Sequence, residues 1–157
     1  MHWRRLNGER LEGPIEDLVA STLEQEQAAG NRIKVCIGTD SQVRGKTIDF
    51  ATVIVFLREG RGGFMFINND RMKSTLSLKE RLLTEVSKSI EVAYKIAKIL
   101  DRFDVDLEVH ADINTNPQFK SNATLSDAMG YIIGMGYAFK AKPYSFASTS
   151  CANKIVN

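Results

Sequence analysis

The sequence predicts an α/β fold: a mixed five-stranded sheet in the order β-β-β-α-β-α-β-α, flanked by helices and preceded by one extra helix. Three observations carry this. Ile33–Asp40 and Asp106–Asp112 both read as half-buried strands and both end on a carboxylate. Between them lie two further strand-like runs joined through turn residues, and then one long amphipathic stretch. The chain of 157 residues, 43% hydrophobic and 25% charged, has the size and composition of one ordinary globular domain. The whole of 1–157 is therefore expected to form a single domain, with 1–31 as a helical extension.

Taken in order, Pro14 to about Gln27 reads as a short helix with Ile15, Leu18, Val19 and Leu23 on one face, closed by Gly30-Asn31. Ile33–Asp40 is the first strand. Thr47 or Ile48 to Leu57 is the second, reached through the turn Val43–Lys46. Arg58–Gly63, with its three glycines, leads into a third strand, Phe64–Asn68. Ser77–Leu100 is a long helix with Leu78, Leu82, Val86, Ile90, Ala93 and Ala97 as its core stripe. Asp106–Asp112 is the fourth strand. A helix from Ser121 or Thr124 to Met135, a short strand Tyr137–Lys142 and a final helix Ser148–Val156 complete the chain. Three hairpin-linked strands followed by crossovers give a mixed sheet.

Carboxylates at the carboxyl ends of sheet strands sit where α/β folds place ligands. If the first and fourth strands are adjacent and parallel, Asp40 and Asp112 lie side by side. Two bare carboxylates about 4 Å apart repel by roughly 4 kcal/mol at an effective dielectric near 20, and a divalent cation offsets that. The long helix adds a third acid: Glu80 and Glu91 fall opposite the core stripe, on the solvated side, whereas Glu85 falls at its border.

Other signals are weaker or excluded. Gly45-Lys46-Thr47 lacks the glycine that a phosphate-binding loop needs at the position of Asp40, and a strand follows it rather than a helix. Asp112-Ile-Asn-Thr-Asn116 opens like a calcium loop, but Pro117 and Ala123 stand where its turn glycine and bidentate glutamate belong. His110 shares the strand face of Asp112 and reads as a satisfied buried histidine. Ser41 has no nucleophile-activating partner at a recognisable spacing. Trp3, Arg4 and Arg5, read as exposed, either stack on bases or close over the core. Cys36 and Cys151 have no Cys-x-x-Cys spacing, which argues against zinc and for reduced thiols in a cytoplasmic protein. No apolar run approaches the roughly 18 residues of a membrane span, and the amino terminus shows no secretory signal. From Ile113 onward, four lysines (Lys120, Lys140, Lys142, Lys154) face one aspartate, Asp127, within a net charge of +2 for the chain. Such a basic edge is compatible with phosphate contacts.

Ile37-Gly-Thr-Asp-Ser-Gln42, the stretch Arg81-Leu-Leu-Thr-Glu85, His110-Ala-Asp-Ile-Asn114 and Lys142-Pro-Tyr-Ser-Phe-Ala147 resemble, in order and spacing, the YkuK family of ribonuclease H-like proteins. The resemblance covers about Ile33 to the end. It implies a ribonuclease H-like fold with metal ligands, and catalytic residues, at Asp40, Glu85 and Asp112, holding Mg²⁺ or Mn²⁺. It also implies a nucleic-acid partner (RNA, RNA–DNA hybrid or DNA) and hydrolysis of phosphodiester bonds. The fold's fourth acidic position matches Asn153, a neutral ligand offering one carbonyl oxygen. That substitution keeps a second reading open: a nucleic-acid-binding or protein-interaction module with weakened catalysis.

Overall fold

The computed structural model describes residues 1–73, 75–114 and 125–157. Its elements are β1 (Trp3–Arg5), β2 (Arg10–Leu11), α1 (Ile15–Ala28), β3 (Ile33–Arg44), β4 (Thr47–Arg58), β5 (Gly63–Lys73), α2 (Leu78–Arg102), β6 (Asp106–Asn114), α3 (Leu125–Gly134) and β7 (Ala138–Lys142). A π-helical turn, Ala147–Ala152, runs directly into α4 (Asn153–Val156). The strands form one sheet in the order β2-β1-β5-β4-β3-β6-β7. The β3–β4 and β4–β5 pairs are antiparallel, while β3–β6 and β6–β7 are parallel, so the sheet is mixed as expected.

The expected strands are all present, and the sheet has seven rather than five because β1 and β2 extend its edge. Arg4 pairs with Ile67 of β5, which turns Trp3 into the core at 3% exposure. The tryptophan read as exposed therefore closes over the core, and the amino-terminal extension holds a small hairpin, β1–β2, ahead of the helix α1. The amino-terminal part of the helix expected from Ser121 or Thr124 lies outside the described residues, as do Asn116, Pro117, Lys120 and Ala123. No helix among the described residues is long and apolar enough to cross a membrane.

Neither aspartate ends its strand. The β3–β4 hairpin runs on past Asp40↔Ala51 to Arg44↔Thr47, closed by a two-residue turn with Gly45 at φ +63°, a conformation that glycine adopts without strain. What ends near Asp40 is the pairing of β3 with β6, whose last rung is Gly38↔His110. Beyond that rung the two parallel strands separate, and the crevice between them opens at their carboxyl ends.

The two faces of the sheet carry separate cores. Val35, Ile37, Ile54, Phe56 and Phe66 pack beneath α1 and α2, against Val19, Leu23, Ile90, Ala93 and Ile96. On the other face Cys36, Val53, Val55 and Ile67 pack against Ala147 and Ala152 of the carboxyl-terminal segment. α2 starts from a capping box in which the Ser77 hydroxyl accepts from Glu80 N–H and the Glu80 carboxylate accepts from Ser77 N–H. Its buried stripe is rotated from the expected one: Leu78 is 41% exposed, while Glu85, Ser89 and Ile96 are buried. The reason is polar. Ser89 Oγ lies 2.7 Å from Thr39 Oγ1, which in turn donates to Thr52 Oγ1 at 3.1 Å, so a hydroxyl chain seats α2 on the sheet where hydrophobicity alone would not.

Candidate acidic site at the split between two parallel strands

Asp40 lies on β3 just past the last rung shared with β6, and only 5% of it is exposed. Oδ1 accepts from the backbone N–H of Ser41 at 2.8 Å, and Oδ2 accepts from Nδ2 of Asn153 at 2.7 Å. Burial raises its pKa above the usual carboxylate range; the two hydrogen bonds oppose this, and the nearby Asp112 adds to it.

Glu85 comes from α2. Sequence reasoning placed it at the rim of the helix stripe, but it is buried at 4% exposure. The Ser41 hydroxyl donates to Oε2 at 2.5 Å and itself accepts from Arg81 Nε at 3.0 Å. Burial pushes the Glu85 carboxyl up to about 8; Ser41 and Arg81 pull it down, and Asp40 and Asp112 push it further up. Alternation along β3 makes this arrangement: Ser41 and Thr39 face α2, while Asp40 faces the carboxyl-terminal segment. Asp40 and Glu85 thus approach the split between β3 and β6 from opposite faces of the sheet.

Asp112 comes from β6, with 20% of its side chain exposed. Lys142 Nζ of β7 lies 2.6 Å from its Oδ1, an ion pair whose atoms do not align as a hydrogen bond. That oxygen is otherwise buried without a hydrogen-bond donor.

Asn153, at the start of α4, reaches Asp40 because the segment before it is clamped to the sheet. A side chain at Gly38 would collide with the backbone of Ala147 and Ser148, so only glycine admits this close approach. The backbone N–H of Ala147 donates to His110 Nδ1 at 3.1 Å. Asn153 turns its amide nitrogen, not its carbonyl, toward Asp40, so in this arrangement it is a hydrogen-bond donor.

The sequence pattern of the ribonuclease H-like family matches residues 16–157, which is most of the chain. The chain belongs to the ribonuclease H-like family. It is also 31% identical over 135 residues to the uncharacterized protein YkuK of Bacillus subtilis (strain 168), a match covering 75% of this chain and 76% of that protein. No solved structure matches it.

Within this ribonuclease H-like chain, a second group of potential ligands was not singled out from the sequence. The ligand atoms of Cys36, Glu108 and His110 all lie within 4.8 Å of one another, the one such group among the described residues; Asp40, Glu85 and Asp112 are spread more widely. Its signal was present in the alternation: Cys36↔Glu108 and Gly38↔His110 are rungs of one parallel ladder, so these side chains share a face. The chemistry of this group is closed on itself. His110 Nδ1 accepts from Ala147, so Nε2 carries the proton and donates to Glu108 Oε1 at 3.0 Å. Burial holds the ring neutral. Glu108 also pairs with Lys34 at 2.6 Å, and burial, together with Glu108, pushes the Cys36 thiol up to about 12. A thiol that keeps its proton and an imidazole with both nitrogens engaged make poor ligands. The group instead anchors the carboxyl-terminal segment.

The oxygens of Asp40, Glu85 and Asp112 are a different donor set. Hard divalent cations take oxygen ligands. Two of these carboxylates are buried with raised proton affinity, and the third has an oxygen with no aligned donor. Such a set fits Mg²⁺ or Mn²⁺ far better than a soft metal.

Proposed function

We propose that this protein is a divalent-metal-dependent nuclease that hydrolyses phosphodiester bonds of RNA, RNA–DNA hybrid or structured DNA. Asp40, Glu85 and Asp112 hold Mg²⁺ or Mn²⁺ and form the catalytic centre, with Asn153 at the fourth position. The observation that carries this reading is the approach of three carboxylates, from β3, α2 and β6, to the split between two inner parallel strands of a ribonuclease H-like sheet. They are close enough that Asp112 raises the proton affinity of Asp40, and both raise that of Glu85. When bound, the cations supply Lewis acidity toward phosphate and lower the pKa of water.

The chain's own residues prepare the site. Ser41 fixes Glu85 through its hydroxyl and Asp40 through its backbone N–H, so one residue orients two acids from opposite faces of the sheet. Arg81 holds Ser41 in that rotamer. Glu85, protonated at neutral pH by burial, releases its proton when positive charge enters the site.

Isothermal titration with Mn²⁺ and hydrolysis of a labelled RNA–DNA hybrid test the proposal. The wild type is expected to bind Mn²⁺ with proton release and to cleave. Asp40→Asn and Asp112→Asn are expected to lose both, cleavage by at least about a hundredfold. Equal binding by the wild type and both variants would sink the metal site. Binding without cleavage of hybrid, RNA or DNA favours the second reading, a nucleic-acid-binding module with weakened catalysis; the hydrogen bond that the Asn153 side-chain amide donates to Asp40 supports that alternative.

A further inference from the structure

Lys142 stands against one of the three acids of the site. Its Nζ is 2.6 Å from Asp112 Oδ1, the buried oxygen with no aligned hydrogen-bond donor. An irregularity between β6 and β7 sets this up. His110 pairs with Lys140, but Lys142, two residues on, pairs with Asn114, four residues on, so β6 takes a longer path than its partner. The lysine is thereby brought level with the end of β6. Its side chain is 41% exposed and sits at the last position of β7, which leaves the ammonium an open route into solvent.

We infer that Lys142 is a resident counter-ion of the site, one that a divalent cation displaces from Asp112 on binding. This rests on the metal-site reading above. An ammonium and a divalent cation compete for the same oxygen and repel each other at that range, so both cannot occupy it. The lysine consequently does two opposed things. Without metal it neutralises Asp112 and so relieves the repulsion between Asp112 and Asp40. With metal present it weakens binding, because its own ion pair must first be broken.

The experiment is Mn²⁺ titration calorimetry, together with melting in chelator and in Mn²⁺, on the wild type, Lys142→Met, Lys142→Arg and Asp40→Asn. Methionine keeps the length and apolar stem without the charge. Lys142→Met is expected to bind Mn²⁺ about fivefold more tightly, the scale of one half-exposed ion pair. It should melt below the wild type in chelator and gain more on adding Mn²⁺. Lys142→Arg, which keeps the charge and a better carboxylate fork, is expected to bind Mn²⁺ no more tightly than the wild type. Unchanged or weaker Mn²⁺ binding by Lys142→Met overturns the inference while leaving the metal site intact, provided Asp40→Asn abolishes binding. If Lys142→Met does not fold, tighter Mn²⁺ binding by Lys142→Arg overturns it just as well. If Asp40→Asn binds Mn²⁺ as the wild type does, the metal site itself fails and the inference goes with it.

Discussion

Glu26 and Glu85 are both helix glutamates buried against the same sheet, at opposite ends of β3. Glu26, on α1, receives Nε and Nη2 of Arg58 at 2.7–3.0 Å and Nδ2 of Asn31 at 2.7 Å. The guanidinium holds its carboxyl below the usual range. Glu85 receives a serine hydroxyl and sits among two further carboxylates, and burial lifts it to about 8. The chain can supply a full counter-charge to a buried acid, and it does so where the acid ties a helix to a strand. At the split between β3 and β6 it supplies less to Glu85, a shortfall that the proposed cation site would correct.

The comparison breaks most visibly at Gly38. Gly38→Ala drives a methyl group into the backbone of Ala147 and Ser148. It is expected to cost about 3 kcal/mol, as overpacking does when backbone must yield. The loss should be local: hydrogen exchange should quicken across residues 147–157 and stay slow in α1. Uniform protection across both regions would show that the carboxyl-terminal segment is not seated through this glycine.

Titration sharpens the comparison, because the two glutamates have opposite signs. The folded-state pKa of Glu85 is raised, so the folded protein binds its proton more tightly than the unfolded chain does. Its contribution is complete below about pH 4.5 and is lost as pH rises toward 8. Glu26 is depressed, so its contribution is present above pH 4.5 and is lost as pH falls through its lowered folded value. In chelator, the difference in stability between wild type and Glu85→Gln should change by something on the order of 3 kcal/mol between pH 5 and pH 8, with the wild type losing ground. Glu26→Gln should be most damaging at neutral pH, and its difference from the wild type should shrink as pH falls through the lowered folded value. Parallel pH profiles for the two variants would erase the distinction between the two ends of the sheet.

Asn153→Asp makes the smallest expected change. It replaces an amide donor to Asp40 with a like charge and should cost about 1 kcal/mol in chelator. In Mn²⁺ the loss should shrink or reverse, because the variant adds an anionic oxygen to the set. Identical melting shifts in chelator and Mn²⁺ would exclude the fourth position from any cation site.

Much of this architecture was legible in the sequence because it rests on short-range periodicity. Alternation set β3 through β6, Gly30 marked the end of α1, and the motifs around Asp40, Glu85 and Asp112 resembled those of the ribonuclease H-like family. The strand ends were misjudged for a physical reason. Polar residues from Ser41 to Arg44 and from Asn69 to Lys73 look like turn, yet cross-strand pairing with β4 carries the ladder through them. The choice for Trp3, between stacking on bases and closing over the core, stays open in the sequence because its burial depends on pairing with β5, more than sixty residues away.

By itself the sequence determined which acids are present and which strands and helix carry them, and it pointed to the two acid-bearing strands as a parallel pair that the structure then bears out. Only the tertiary structure decided that Glu85 is buried rather than at the rim, that Ser41 bridges it to Asp40, and that Lys142 stands against Asp112. It also decided that Cys36, Glu108 and His110 satisfy one another. Periodicity specifies which face a side chain occupies, but the pKa of an acid depends on what other segments bring to that face. Those segments are set by long-range packing, here the hydroxyl chain beneath α2 and the close approach over Gly38.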